Sequence, residues 1–302
     1  MKKLLISIIT SEKTWTNFSK FGFDKEILRL RDQFDLSFVL NGYSNEAILF
    51  YNQFCPEYFF LRPNLGFDTA SIAYLINLVP RYEHYLIMHD DHWFPNPNWI
   101  DRLYEIMNNN SDTDIFGNIL MQEPMRRHGE YCQLVNLNEF SKYKDFAFLH
   151  GMSGLFNLRS IQLLKEFKVP YLLTDEKEIA FLGERLFSNI LSHQGIKFSQ
   201  FSEGIFNFFL HGENNYINYL FSSANVAFHQ SDFIKAKDYF YKYYHHCSEK
   251  KYFQNMDSLF NNLASTHYQL GEYSEAKYIW ENLIERLPNY PIPNEARILI
   301  NN

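Results

Sequence analysis

Apolar and polar positions fall into two kinds of block along the first two-thirds of the chain. Lys3–Thr10, Leu36–Leu40, Tyr58–Leu61 and Tyr85–Met88 are short runs with almost no polar alternation, the pattern of strands buried on both faces. Between them lie helix-length segments: roughly Phe18–Gln33, then Glu46–Phe54 and Thr69–Leu78. Strands that alternate with helices of about ten residues predict an α/β fold with a parallel sheet. Ligands of such sheets bind beyond the carboxyl ends of the strands. Thr10, Asn41, Asn64 and the pair Asp90–Asp91 all stand at those ends, so the polar residues converge on one edge.

The pattern continues less regularly. Pro95-Asn96-Pro97 breaks the chain, and Trp99–Met107 reads as a helix. Asp114–Leu120 is a candidate strand, Met121–Tyr143 is irregular and carries Arg126, Arg127 and His128, and Phe146–Leu149 leads into His150-Gly151-Met152-Ser153-Gly154. A strand at Leu155–Leu158, a helix at Arg159–Phe167 and a longer helix within Thr174–His193 follow. Lys197–Phe201 closes the sheet, and Phe206–Leu210 runs into His211-Gly212-Glu213.

From about Tyr219 the period is purely helical. Ala224–Lys237 aligns with Ala264–Lys277 at a shift of 40 residues, matching Ala224 with Ala264, Phe233 with Tyr273, Ala236 with Ala276 and Phe240 with Trp280. Small residues let paired helices approach, and the aromatics are expected to fill the groove between them. The two segments resemble tetratricopeptide repeats, helix–turn–helix units of 34 residues, with an insertion between copies. Two repeats alone are marginal, which points to self-association or a protein partner, or to packing on the first domain. The expected division is residues 1–215 as an α/β domain and 216–302 as a small all-α helical-repeat domain.

Composition narrows the function classes. Of 302 residues 46% are hydrophobic and 21% charged, the balance of a globular chain. The formal net charge of −7 and the lack of a long basic block argue against nucleic acid as a partner, although short basic patches leave peripheral contact with a membrane surface or an anionic ligand open. Cys55, Cys132 and Cys247 are odd in number and widely spaced, which suits reduced thiols and a cytoplasmic setting. The opening MKKLLISIIT reads as a first strand rather than a leader, because its apolar run is short and Ser11-Glu12-Lys13 follows. No stretch approaches the roughly 20 apolar residues that span a bilayer.

The chemistry concentrates where the Tyr85–Met88 run stops against His89-Asp90-Asp91-His92. Adjacent carboxylates at the end of a buried strand must be paired, hydrogen-bonded or bound to metal. Strand alternation sends Asp90 and Asp91 to different sides, so one can orient the site while the other reaches a ligand.

These residues carry a resemblance. Asn41-Gly42-Tyr43-Ser44-Asn45, Arg62-Pro63-Asn64-Leu65-Gly66-Phe67-Asp68 and Met88-His89-Asp90-Asp91-His92 resemble, in order, the nucleotide-binding turns and the metal-binding Asp-x-Asp region of GT-A fold glycosyltransferases, most closely the family 2 type, over roughly residues 1–215. The resemblance implies a Rossmann-like, mostly parallel sheet flanked by helices. It implies that Thr10, Asn41, Arg62, Asn64, Asp68 and Asp90 hold a nucleotide sugar, a UDP-sugar being favoured. Asn41 stands where the family usually has an acid, and His89 takes the first acidic place of the metal motif. Asp91 is therefore the implied direct ligand of Mn²⁺ or Mg²⁺, and His211 resembles a late histidine that completes that site in some members.

His150–Arg159 resembles the acceptor-side strand of the family. Glu184, in Phe181-Leu182-Gly183-Glu184-Arg185, stands where its catalytic base belongs, with Asp175 and Glu176 as alternatives. Arg126, Arg127 and His128 lie where acceptor loops occur. The implied activity is metal-dependent, inverting transfer of a sugar to a glycan, lipid-linked or protein acceptor, as in polysaccharide biosynthesis. Two other readings stay open: a catalytically degenerate nucleotide-binding domain serving an interaction protein, and a nucleotidyltransferase.

Overall fold

The computed structural model describes residues 2–20, 22–65, 67–109, 112–117, 120–121, 132–133, 148–149, 152–167, 177–201, 210–211, 213–250 and 256–301. Asp175, Glu176, Arg126, Arg127 and His128 lie outside them, and of Glu184 and His211 the backbone alone is described. The chain forms two compact units, Met1–His211 and Gly212–Asn302.

The first unit is built on a seven-stranded mixed sheet that is mostly parallel. Its elements in chain order are β1 (Lys2–Ser11), α1 (Asn17–Lys20), α2 (Phe23–Arg29), β2 (Asp35–Asn41), α3 (Asn45–Asn52), β3 (Tyr58–Arg62), α4 (Phe67–Leu78), β4 (Tyr82–His89), β5 (His92–Trp93), α5 (Trp99–Asn109), β6 (Ile115–Gly117), β7 (Leu120–Met121), β8 (Phe148–Leu149), β9 (Gly154–Asn157), α6 (Leu158–Glu166), α7 (Lys177–His193), β10 (Phe198–Gln200) and β11 (Leu210–His211). The sheet order is β10-β6-β9-β4-β1-β2-β3, with β9 alone antiparallel to its neighbours β4 and β6. Two small ladders, β5 with β11 and β7 with β8, stand beside it.

The central strand β1 explains the unbroken apolar run. Leu5 and Ile9 face a layer formed by α4, α6 and α7, while Leu4, Ile6 and Ile8 face α1, α2, α3 and α5. Both sides are therefore core, so the sequence shows no polar alternation. The hydroxyl in the middle of that run, Ser7, is satisfied by Ser37 of β2 at 2.7 Å. Aromatic side chains supply much of the second layer: Phe18 lies within 5.7 Å of the rings of Phe23, Phe38, Tyr51 and Phe54, mostly edge-on.

Several element boundaries differ from the sequence pattern for local reasons. The expected helix Phe18–Gln33 is broken into α1, α2 and a 3₁₀ turn at Arg31–Gln33, because Gly22 adopts a left-handed φ of 72°. Helix α3 starts at Asn45, where the Ser44 hydroxyl accepts the Ala47 N–H at 3.2 Å. The strand expected at Leu155–Leu158 ends one residue early, since Asn157 Oδ1 caps α6 by accepting the Ser160 N–H at 3.0 Å. Strand β4 is twice the length of its apolar run, as Tyr82 and His84 pair with Lys2 and Leu4 of β1.

Among the described residues the second unit holds five helices, α8 (Glu213–His229), α9 (Phe233–Lys250), α10 (Met256–Gln269), α11 (Tyr273–Arg286) and α12 (Asn294–Asn301). Ala224, Ala236, Ala264, Ala276, Phe240 and Trp280 are all fully buried, so the small and large positions of the internal match do form helix contacts. Phe233 and Tyr273 behave otherwise. Each packs on an aromatic residue across its own turn, Phe228 at 5.4 Å and Tyr268 at 5.2 Å, and Tyr273 stays half exposed rather than filling an inter-helix groove. Both turns need a left-handed residue at the same repeat position: Ser231 (φ 61°) in the first and Gly271 (φ 76°) in the second. A chain of hydrogen bonds, Tyr241 hydroxyl to His267 Nε2 (2.9 Å), His267 Nδ1 to Glu272 (2.5 Å) and Lys237 to Glu272 (2.6 Å), ties α9 to α10 and the following turn.

Candidate functional site

The carboxyl ends of β1, β2, β3 and β4 lie side by side, so Ser11, Asn41, Arg62 and His89 form one edge of the sheet. On that edge Asn41 and Arg62 are both buried. Asn41 Oδ1 accepts from the Arg62 guanidinium and, at 2.8 Å, from the Ser71 hydroxyl of α4, while Arg62 also donates to the Leu65 carbonyl. This network closes the turn after β3 over the start of α4. Gly42, with φ 99°, follows Asn41. A β-carbon there would meet the carboxyl end of the Glu12 side chain at about 2.5 Å, so the glycine makes room for Glu12, which accepts the Tyr43 N–H. Asn64 is half-buried in the same turn.

The two carboxylates lie in the turn between β4 and β5 rather than on the strand, and the turn, not strand alternation, points them apart. Asp90 turns inward and is 5% exposed. Its Oδ2 accepts from Thr10 Oγ1 at 2.6 Å and Thr14 Oγ1 at 2.7 Å, and its N–H donates to the Ile9 carbonyl. The Tyr51 hydroxyl of α3 stands behind Thr10 at 2.9 Å. Burial pushes the Asp90 carboxyl up to about 7; the two threonine hydroxyls act against this and the neighbouring Asp91 adds to it. Burial, together with the Asp90 charge, likewise raises the Tyr51 hydroxyl far above the ordinary phenol range.

Asp91 turns the other way, into a group with two imidazoles. One donor atom each from His89, Asp91 and His92 all lie within 4.8 Å of one another. Asp91 Oδ1 is 3.4 Å from His92 Nδ1, and Asp68, in the first turn of α4, places Oδ2 3.6 Å from His89 Nε2. His92 is almost fully buried, and its Nδ1 accepts the peptide N–H of His89 at 3.1 Å, which locks the His89–His92 turn. The His89 and His92 rings meet edge-on at 5.2 Å. Strand β11 pairs antiparallel with β5, and the residue opposite His92 in that register is His211. Mixed imidazole and carboxylate donors converging at a buried strand end fit a divalent transition ion.

The structure thus brings Thr10, Asn41, Arg62, Asn64, Asp68, Asp90 and Asp91 to one edge and carries His211 to it through a backbone ladder. Glu184 lies on α7, which packs against α4 and β8. Thr14 and Tyr51 join the site with no local motif, since their bonds span 76 and 41 residues. His92, which the sequence pattern assigns no role, joins His89 and Asp91. The flanking of two acids by two histidines was the available signal.

No protein-family model matches the chain, and no curated protein matches it in sequence. Among solved structures it is similar to a mannosyltransferase from Pyrobaculum calidifontis in complex with GDP-Man and Mn²⁺, at 10% identity over 99% of this chain and 85% of that one, with a TM-score of 0.44. It is also similar to a cytidylyltransferase from Leptospira borgpetersenii (11% identity, 74% and 87% covered, TM-score 0.43) and to mouse xyloside xylosyltransferase 1 (12%, 71% and 99%, 0.39). At this distance the likeness assigns no residue a role.

Proposed function

We propose that this chain is a metal-dependent glycosyltransferase that moves a sugar from a nucleotide-diphosphate donor to a glycan, lipid-linked or protein acceptor. The observation that carries the reading is the single polar edge where the buried Asn41–Arg62–Ser71 and Thr10–Thr14–Asp90 networks flank the His89, Asp91 and His92 group. Asn41 and Arg62, buried and bonded to each other, stand at the ends of β2 and β3 where a base and ribose would bind, with a UDP-sugar as the favoured donor. Asp90 holds β4 against the loop after β1 through Thr10 and Thr14, which fixes the direction in which Asp91 points.

His89 and Asp91, with Asp68 beside them, would hold the divalent ion, and the backbone of His211 pairs opposite His92. When bound, such an ion neutralises the charge that develops on the departing diphosphate, an effect worth several kcal/mol. Glu184, or Asp175 in its place, removes the proton of the acceptor hydroxyl in an inverting displacement. The helical unit recruits the acceptor or a second subunit. Polysaccharide assembly in the cytoplasm, at the inner face of a membrane, is the setting that suits this chemistry; no helix among the described residues is long and apolar enough to cross a bilayer.

The test is a release assay across UDP-, GDP- and CMP-linked sugars with Mn²⁺. Free nucleoside diphosphate appearing with a suitable acceptor supports the reading, monophosphate from a CMP-linked sugar alone would replace the donor class, and pyrophosphate from a nucleoside triphosphate and a sugar phosphate would replace it with nucleotidyl transfer. One observation favours a second reading. A neutral Asn41 accepting from Arg62, where related sites carry an acid, suits a domain that binds nucleotide without turning it over. Binding of UDP with Mn²⁺ and no release from any donor would select that alternative.

A further inference from the structure

We propose that the centre at the end of β4 is selective for a first-row transition ion over Mg²⁺, and that His89 is the residue that imposes the selection. This deepens the reading above and rests on the site being a divalent-metal centre.

The donor atoms decide which ion the centre prefers. Asp91 supplies one carboxylate oxygen, and a diphosphate ligand would add more oxygens. Oxygen donors alone suit Mg²⁺ and Mn²⁺ alike. The two imidazoles change that, but they are not equivalent. His92 Nδ1 already accepts the His89 peptide N–H, so the neutral ring keeps its proton on Nε2, and neither nitrogen directs a lone pair at an ion. His92 therefore positions the turn. His89 is built differently: its ring reaches the Asp68 side of the group, with Nε2 buried and 3.6 Å from Asp68 Oδ2.

That separation allows both atoms to bind one ion at about 2.1 Å each. Asp68 comes from α4 and Asp91 from the turn after β4, so His89 stands between two carboxylates from different elements. A nitrogen in this place penalises Mg²⁺, which is hard, demands oxygen octahedra and gives up water reluctantly. Ions from Mn²⁺ to Zn²⁺ accept imidazole increasingly well. Mn²⁺ is the strictest comparison because it is the hardest of that series.

The test uses the full chain, stripped with chelator and reloaded with Mn²⁺ or Mg²⁺ alone. Binding is measured by equilibrium dialysis, and bound Mn²⁺ is examined by pulsed electron paramagnetic resonance for coupling to a ligand nitrogen. The wild type should show nitrogen coupling and a clear preference for Mn²⁺. His89→Gln should lose the coupling and about 10- to 100-fold in Mn²⁺ affinity, the range in which metal sites respond to lost support, with a much smaller change for Mg²⁺. His89→Asp should keep Mn²⁺ binding, lose the coupling and narrow the preference. The second variant answers the case in which the first fails to fold.

Absence of nitrogen coupling in the wild type, coupling that persists in His89→Asp, or Mg²⁺ binding within about tenfold of Mn²⁺ overturns the inference. The two readings fail separately. Nitrogen-ligated Mn²⁺ with no sugar transfer defeats the enzymatic reading alone, and transfer supported equally by Mg²⁺ and Mn²⁺ defeats this inference alone.

Discussion

Replacing Asp90 by asparagine should stabilise the metal-free protein at alkaline pH and flatten its pH dependence. Asp90 is 5% exposed, and its carboxyl is pushed from 3.8 up to about 7, chiefly by burial. In the unfolded chain the same carboxyl loses its proton near 3.8. Between these values the folded state binds the extra proton, so stability falls as pH rises through the window and is level above it. The slope is about 1.4 kcal/mol per pH unit, which gives about 3 kcal/mol between pH 5 and pH 8. For a unit of this size that lowers the melting midpoint by roughly 6–12 °C. Asparagine keeps an oxygen for Thr10 and Thr14 while removing the charge. Thermal unfolding in chelator at pH 5 and pH 8, followed by circular dichroism, makes the comparison. The wild type should lose its midpoint at pH 8 and Asp90→Asn should not. Equal losses in both proteins would refute the reasoning.

Further outcomes follow from the geometry. A methyl group at Gly154 would lie 2.5 Å from the Phe116 carbonyl oxygen, where β9 meets β6, so Gly154→Ala should cost about 3 kcal/mol or more in urea unfolding. Ser231 holds a left-handed φ on an exposed turn, so Ser231→Gly should raise the stability of the helical unit by about 0.5 kcal/mol, and Gly271→Ser should lower it by about 1 kcal/mol. Lys237 holds the Glu272 carboxyl below its usual range; acidification through that lowered value should therefore weaken the tie between α9 and the α10–α11 turn, read as faster amide exchange there.

The carboxyl edge was legible because parallel strands buried on both faces write long apolar runs, and polar residues end each run. Asp90 and Asp91 do point apart as expected, but through the turn that joins β4 to β5 and not through strand alternation, since β4 ends at His89. The pairing of β5 with β11 was not, because two-residue strands carry no period, so the placement of His211 opposite His92 had no local trace. The antiparallel sense of β9 was equally silent in a four-residue strand. The Thr10–Thr14–Asp90–Tyr51 network joins four positions that only the packing of α3 on β1 and β4 brings together. The approach of Asp68 of α4 to His89 left no trace in the spacing, because the two stand 21 residues apart on different elements.

The central claim is that Asp91 holds the ion that drives sugar transfer. Its most direct test is metal-dependent release of nucleotide from a sugar donor by wild type and Asp91→Asn, with melting curves of both. Release by the wild type, loss of that release in the variant at saturating Mn²⁺, and unchanged melting in chelator are expected. Full release by Asp91→Asn, or equal release by the wild type in chelator, would contradict the claim.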